Sequence, residues 1–102
     1  MIYLPFKIEL FSQTWTIRAA RSGEIGTDLG QCRTDHLEIV INPNQTEESM
    51  IHTIMHELTH SIELKLDLEL TERQVDLIAL GYINLFRLNH GLYEMIQGAS
   101  NE

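Results

Sequence analysis

The sequence contains one cysteine, Cys32, and two prolines in 102 residues. A single cysteine excludes an internal disulfide and any zinc site built from several thiolates. Basic residues are also scarce, with seven Lys and Arg against fifteen Asp and Glu, which gives a formal net charge of −8. This acidic balance argues against a nucleic-acid partner, because binding to a phosphate backbone needs a basic surface.

Long apolar runs are absent as well. No stretch approaches the ~20 consecutive apolar residues of a membrane-spanning helix. The start MIYLPFKIELF has no basic segment ahead of an apolar one, and Lys7 and Glu9 interrupt it, so it lacks the pattern of a secretory signal. We therefore expect no membrane partner and a cytoplasmic location.

The residues that are present divide into a β-rich part and a helical part. Alternating apolar residues predict strands over FKIEL, TWTIRA and HLEIVIN, and a further short strand from about Gly30 to Arg33. Helical periodicity follows. The pattern predicts one α+β domain over residues 1–102, with a sheet of three to four strands in 1–45, two helices in 46–90 and a tail in 91–102.

The first predicted helix runs from about residue 47 to 66 and carries three histidines at four-residue spacing. Its apolar residues gather on one stripe, which we expect to pack on the sheet. At ~100° per residue, His56 and His60 lie far around the helix from that stripe. The residues of the stripe are Ile51, Ile54, Met55, Leu58 and Ile62.

The second predicted helix begins after Thr71, whose side chain can form a capping box with Gln74. It ends near Asn89, with Gly91 as the expected residue just beyond its C-terminus. The helix is apolar around most of its circumference, so we expect it to be buried between layers or partly buried in a homodimer.

His56, Glu57 and His60 form the pattern HExxH within HELTH. Two histidines four residues apart lie on one helix face, so their imidazoles can bind one metal ion. Glu57, turned by about 100°, can reach a water on the open side of a zinc ion and act as general base. His52 lies ~12 Å along the axis from His60, too far to share the ion, and is interpreted as an exposed or cleft-rim histidine. The alternative for the whole motif is a solvated polar helix face.

A third ligand must come from outside this motif. Glu63, one turn past His60, is expected to point along the helix and not across the ion. Glu72 opens the second helix and Asp76 follows one turn later. We predict Glu72 as the ligand and Asp76 as the acceptor for the other N–H of His56, since metal-bound histidines usually donate to a carboxylate or a carbonyl. An ordinary acidic helix N-terminus is the alternative for Glu72.

HELTH followed by a helix carrying ERQVD resembles the gluzincin arrangement of the zincin metallopeptidases. The layout is also similar to compact phage and prophage metallopeptidases related to the ImmA/IrrE type, over about residues 29 to 89. The resemblance implies a small zincin-like fold and Zn²⁺ bound by His56, His60 and Glu72. It further implies Glu57 as general base, Asp76 behind the first histidine, and a phage or prophage origin in a bacterial host.

Three features differ from the large gluzincins. Only eleven residues separate His60 from Glu72, so the two helices must be joined tightly. Tyr82, Tyr93 and His90 are candidates for the group that stabilises the oxyanion, and none is assigned. The chain also has no room for a substantial second lobe.

The leading hypothesis is a zinc metallopeptidase whose peptide substrate pairs with a free edge of the strand over residues 37–42, as the resemblance implies. The alternative is a non-enzymatic, zinc-stabilised module that binds a protein partner. A fourth protein ligand, such as Glu63 or His90, would favour the module, whereas an open coordination position would favour the enzyme.

Overall fold

A computed structural model describes residues 1–100 and shows an α+β fold, as the sequence predicts. The sheet has four strands, and three helices follow it along the chain. The strands are β1 (Phe6–Leu10), β2 (Gln13–Ala19), β3 (Gly30–Arg33) and β4 (Glu38–Ile41). The helices are α1 (Glu47–Lys65), α2 (Glu72–Leu88) and α3 (Gly91–Ser100).

The strand order is β1-β2-β4-β3, with β1 antiparallel to β2, β2 parallel to β4 and β4 antiparallel to β3. β4 is therefore an inner strand, hydrogen-bonded on both sides. The expectation that residues 37–42 offer a free edge to a peptide is wrong, because β3 folds back as a hairpin onto that edge. The exposed edge beside the helices belongs to β3, which contacts α1.

The core lies between the sheet and α1. Ile17 of β2 and Ile39 of β4 are paired in register and fully buried, and Ile54 of α1 packs in the same cluster. Burial of these aliphatic side chains contributes most of the stability of the sheet–helix pair. Val40 points to the opposite face and is buried too, so β4 is covered on both sides.

The buried face of α1 differs from the predicted stripe. Ile54 is buried as expected, whereas Met55 and Ile62 are half-buried. Four polar side chains are buried instead, namely Thr53, Glu57, Thr59 and Ser61. The cause is that α1 contacts α2 on one side and the strands β3 and β4 on another. Its apolar residues are therefore divided between the helix and the sheet.

α2 is an outer layer packed on α1. Its predicted capping box is confirmed: Thr71 Oγ1 accepts from Gln74 N at 3.1 Å, and Gln74 Oε1 accepts from Thr71 N at 2.9 Å. Only Val75 and Ala79 of this helix are buried. The helix ends at Asn89 as its C-cap, and Gly91 starts α3, so the prediction of Gly91 as a terminating residue is wrong.

The described helices include none long and apolar enough to cross a membrane. A cytoplasmic location stays a prediction.

Candidate metal centre

The centre lies where α1 and α2 pack as neighbouring helices. α1 presents His56 and His60 one turn apart, and α2 presents Glu72 in its first turn. The connection between the helices is short. In it, Asp67 takes a positive φ of 54°, which lets the chain reverse direction within a few residues.

His56, His60 and Glu72 form a group that can hold a metal ion, since one ligand atom from each lies within 4.8 Å of the others. Nε2 of His56 is 3.1 Å from one carboxylate oxygen of Glu72. Nε2 of His60 is 3.0 Å from the other oxygen. Both imidazoles therefore turn their Nε2 atoms toward the same carboxylate group. The centroids of their rings are 5.0 Å apart.

The other ring nitrogens are also engaged by carboxylates. Nδ1 of His56 lies 3.3 Å from Oδ1 of Asp76, and Nδ1 of His60 lies 3.0 Å from Oε1 of Glu63. Such contacts fix the tautomer and the ring orientation of histidines that bind metals. Asp76 thus lies beside His56, as predicted from the sequence.

Glu63 has a function that sequence reasoning missed. Its second carboxylate oxygen accepts a hydrogen bond from the backbone N–H of Leu70 at 2.7 Å. That bond, followed by the contact with His60, lowers the pKa of Glu63. A charged Glu63 therefore joins the end of α1 to the connection and orients His60. The i,i+3 spacing of His60 and Glu63 was the available signal.

Glu57 occupies a separate position beside the ligand group. It is 8% exposed and lies against β3, and burial raises the pKa of its carboxyl while His56 and His60 oppose the rise. The approach of β3 depends on Gly30. A Cβ on Gly30 would lie 2.6 Å from Cγ2 of Thr53 and 3.3 Å from Cγ of Glu57.

His52 is outside the ligand group, in agreement with its distance from His60 along the helix. Its Nε2 lies 3.0 Å from Oδ1 of Asp76. The atom has no access to solvent, and the contact lacks the alignment of a hydrogen bond. Asp76 therefore faces two histidines, His52 and His56, with the same oxygen.

A groove of about 960 Å³ opens beside the centre, between α1, α2 and the segment from Asp28 to Gly30. His56, Glu57 and Glu72 line one part of it, and Leu80 and Ile83 give it an apolar wall. At another part of the groove, Arg87 forms a two-pronged ion pair with Glu48, with N–O distances of 2.6 and 2.8 Å.

The remaining candidates from the sequence lie outside this groove. Tyr82 stacks on Phe86 with ring centroids 6.2 Å apart, His90 contacts the carbonyl of Arg87, and Tyr93 is exposed on α3. None of the three candidates lines the groove. Within residues 1–100, the group that can hold a metal ion comprises three ligand residues and includes neither His90 nor Glu63.

The chain matches no protein-family model, no curated protein and no solved structure. Function is therefore inferred from the geometry of the metal centre and its groove.

Proposed function

We propose that the protein is a zinc-dependent peptidase with its active site at this centre. The observation that carries the proposal is the combination of two imidazole nitrogens and one carboxylate oxygen within 4.8 Å with a buried glutamate next to them in sequence. Three protein ligands with a position left for water or substrate are typical of catalytic zinc sites, whereas structural sites use four.

The donor set fits zinc better than the hard cations. Two histidine nitrogens favour zinc and other late transition metals, since calcium and magnesium prefer oxygen ligands. His56, His60 and Glu72 would hold the ion. When bound, zinc acts as a Lewis acid that makes water more acidic and polarises a carbonyl group.

The protein's own residues then have separate tasks. Asp76 and Glu63 hold the imidazoles of His56 and His60 in one orientation through their Nδ1 atoms. Glu57 accepts the proton of the attacking water and delivers it to the nitrogen of the leaving amine. Its burial suits this task, because a raised carboxyl pKa makes the carboxylate a stronger base for the proton of the water.

The peptide substrate is proposed to pair with β3 instead of β4. β3 is an edge strand, and an extended peptide can add to an exposed sheet edge through backbone hydrogen bonds. Gly30 at the start of β3 also lines the groove, as does Glu57. A peptide on this edge would therefore bring its backbone carbonyl groups close to the metal centre.

The experiment compares the wild-type chain with Glu57→Gln on a mixture of unstructured peptides, with and without a chelator. We expect zinc-dependent cleavage by the wild type, at least about a 100-fold loss of rate in Glu57→Gln, and equal zinc content in both. Glu47→Gln, an exposed glutamate in the first turn of α1, is the matched control and should cleave normally. Equal cleavage by wild type and Glu57→Gln would refute the mechanism.

A zinc-stabilised binding module is the second candidate. The observation that favours it is that none of the oxyanion candidates lines the groove, while the ligand group joins α1 to α2. In this case zinc raises the melting temperature of both wild type and Glu57→Gln, because the ion binds only the folded state. No peptide in the mixture is then cleaved by either protein.

A further inference from the structure

The outward face of α2 is apolar and carries a regular repeat. Residues on this face follow one another at intervals of four, three, four and three along the helix, which is the spacing of a seam between two packed helices. We call this set the seam. Its five residues are Gln74, Ile78, Gly81, Leu85 and Leu88. Ile78, Leu85 and Leu88 are 37%, 43% and 76% exposed, so the chain itself does not cover them.

Gly81, at the centre of the seam, is not explained by any contact among residues 1–100 of a single chain. A glycine inside a helix costs about 1 kcal/mol relative to alanine. A Cβ at Gly81 would meet no atom of the described part of the chain within 4 Å, so no contact there requires a glycine. Glycine at such a position permits the close approach of a second helix, as small residues do at tight helix crossings.

We propose that the seam binds the same seam of a second copy, with the two α2 helices antiparallel and Gly81 next to the two-fold axis. The spacing supports this occupant, because it reads almost the same from either end of the seam. An isologous interface requires a surface that is complementary to itself in this way.

Charge and area support the same arrangement. No residue of the seam is charged, so two acidic chains can meet there without burying charges of the same sign. Leu77 and Tyr82 flank the seam and are 50% and 47% exposed. With them and Phe86, the seam leaves on the order of 500 Å² of apolar side chain exposed per chain, so a pair would remove about 1,000 Å² from water, which is the lower range of specific interfaces.

The proposed interface leaves the metal centre open. Asp76 is five residues from Gly81, which places it roughly 140° around the helix. Leu88, at the C-terminal end of α2, is the one seam residue that also lines the groove. The part of the groove beside Glu72 and Asp76, at the other end of α2, lies on a different side of the helix from the seam. The proposal does not depend on the peptidase function.

The first experiment measures the mass of the full chain by sedimentation equilibrium at micromolar concentration. We expect twice the monomer mass of 11.8 kDa for the wild type. Leu85→Glu should weaken dimerisation by at least about 100-fold, because it places a charge in the centre of the interface. Leu68→Glu, at a leucine of the α1–α2 connection with 47% exposure, is the control and should remain dimeric. A monomeric wild type, or a dimeric Leu85→Glu, overturns the proposal.

A second experiment covers the case in which Leu85→Glu does not fold. Gly81→Cys should form a disulfide between two copies under mild oxidation, because residues next to a two-fold axis lie within bonding range. The native Cys32 competes poorly, since burial raises the pKa of its thiol. Asp35→Cys, in the exposed β3–β4 turn, is the matched control. If Gly81→Cys forms the cross-link no faster than Asp35→Cys does, the proposed dimer with Gly81 next to its two-fold axis is wrong.

Discussion

Two polar clusters join distant parts of this small chain, and they differ in how their charges are balanced. The arginine cluster comprises Arg18, Arg33, Glu24 and Glu38. In it Glu24 accepts from Arg18 at 2.6 and 2.9 Å and from Arg33 at 2.9 Å, and Arg18 also donates to Glu38 at 2.9 Å. Two guanidinium groups hydrogen-bond to two carboxylates, and the exposed guanidinium of Arg21 lies 3.9 Å from Glu24, so each carboxylate of the cluster has a fixed positive partner.

The histidine cluster has an excess of acid. It comprises His52, His56, His60, Glu63, Glu72 and Asp76. The ion pairs described for its three carboxylates all involve histidines, which carry a full positive charge only when protonated. With neutral imidazoles the cluster has three negative charges and no fixed positive one.

The difference in charge balance indicates which of the two clusters would gain from binding a cation. A cluster with matched charges holds a loop on a sheet and needs nothing further. A cluster of neutral nitrogen donors and unmatched carboxylates gains stability when a divalent cation binds, because the cation supplies the missing charge. The predictions below test this contrast from the largest expected effect to the smallest.

Loss of one ligand histidine should lower the zinc affinity of the histidine cluster. We expect His60→Ala to lower zinc affinity by more than about 100-fold, because the variant loses both a ligand nitrogen and the contact with Glu63 that orients the ring. His36→Ala, in the β3–β4 turn, is the matched control and should bind zinc normally. Competition with a coloured chelator measures both constants, and equal affinities would contradict the assignment of His60.

Gly30→Ala should destabilise the side of the centre that holds Glu57. The added Cβ meets Cγ2 of Thr53, and Thr53 cannot turn away without losing the bonds from its hydroxyl to Gln45 and to the carbonyl of Ser49. We expect the free energy of unfolding to fall by about 1–3 kcal/mol, as measured by urea denaturation.

The control for this contact is a double variant. Thr53→Ser removes the methyl group and keeps the hydroxyl, so it should restore most of the stability lost in Gly30→Ala. Additive losses in the double variant would show that the two residues do not meet.

His52 should contribute to metal binding through Asp76. His52→Leu removes the nitrogen that lies 3.0 Å from Asp76, which frees that carboxylate to turn from His56. We expect zinc affinity to fall by about 10-fold, in the lower range for residues that support a ligand. His52→Gln retains a polar nitrogen at similar reach of Asp76 and should recover much of the affinity. Equal affinities of the two variants would show that only the volume of His52 matters.

The sequence predicted those parts of the fold and of the site that depend on local pattern. The class, the strand at Gly30–Arg33 and the capping box of α2 follow from alternation and from fixed spacings, and the structure confirms them. The grouping of His56 with His60 follows from the period of a helix. Glu72 lies close to both because the short connection leaves α2 few positions other than beside α1.

The parts that were not predicted depend on contacts between distant residues. β4 lost its expected free edge because β3 pairs with it, and strand order cannot be read from alternation. The close contact of Gly30 with Thr53 joins residues on different elements. The ion pair of Glu24 with Arg18 could not be predicted from the sequence, because Glu24 lies in a glycine-containing loop and comes near Arg18 only after the loop has folded back.

The smallest predicted effect concerns this arginine cluster and its dependence on pH. Hydrogen bonds from Arg18 and from the backbone of Arg21 hold the pKa of Glu24 far below its usual range. A depressed carboxyl pKa stabilises the fold above the unfolded value of about 4.3 and loses that contribution as the pH falls below it. Glu24→Gln should therefore melt at a lower temperature than wild type at neutral pH. The gap should narrow as the pH falls below about 4 and should close only as the pH approaches the depressed pKa of Glu24. Glu9→Gln, an exposed residue of β1, should show no gap. Zinc affinity should be equal in all three proteins, and a loss in Glu24→Gln would show that the two clusters are coupled.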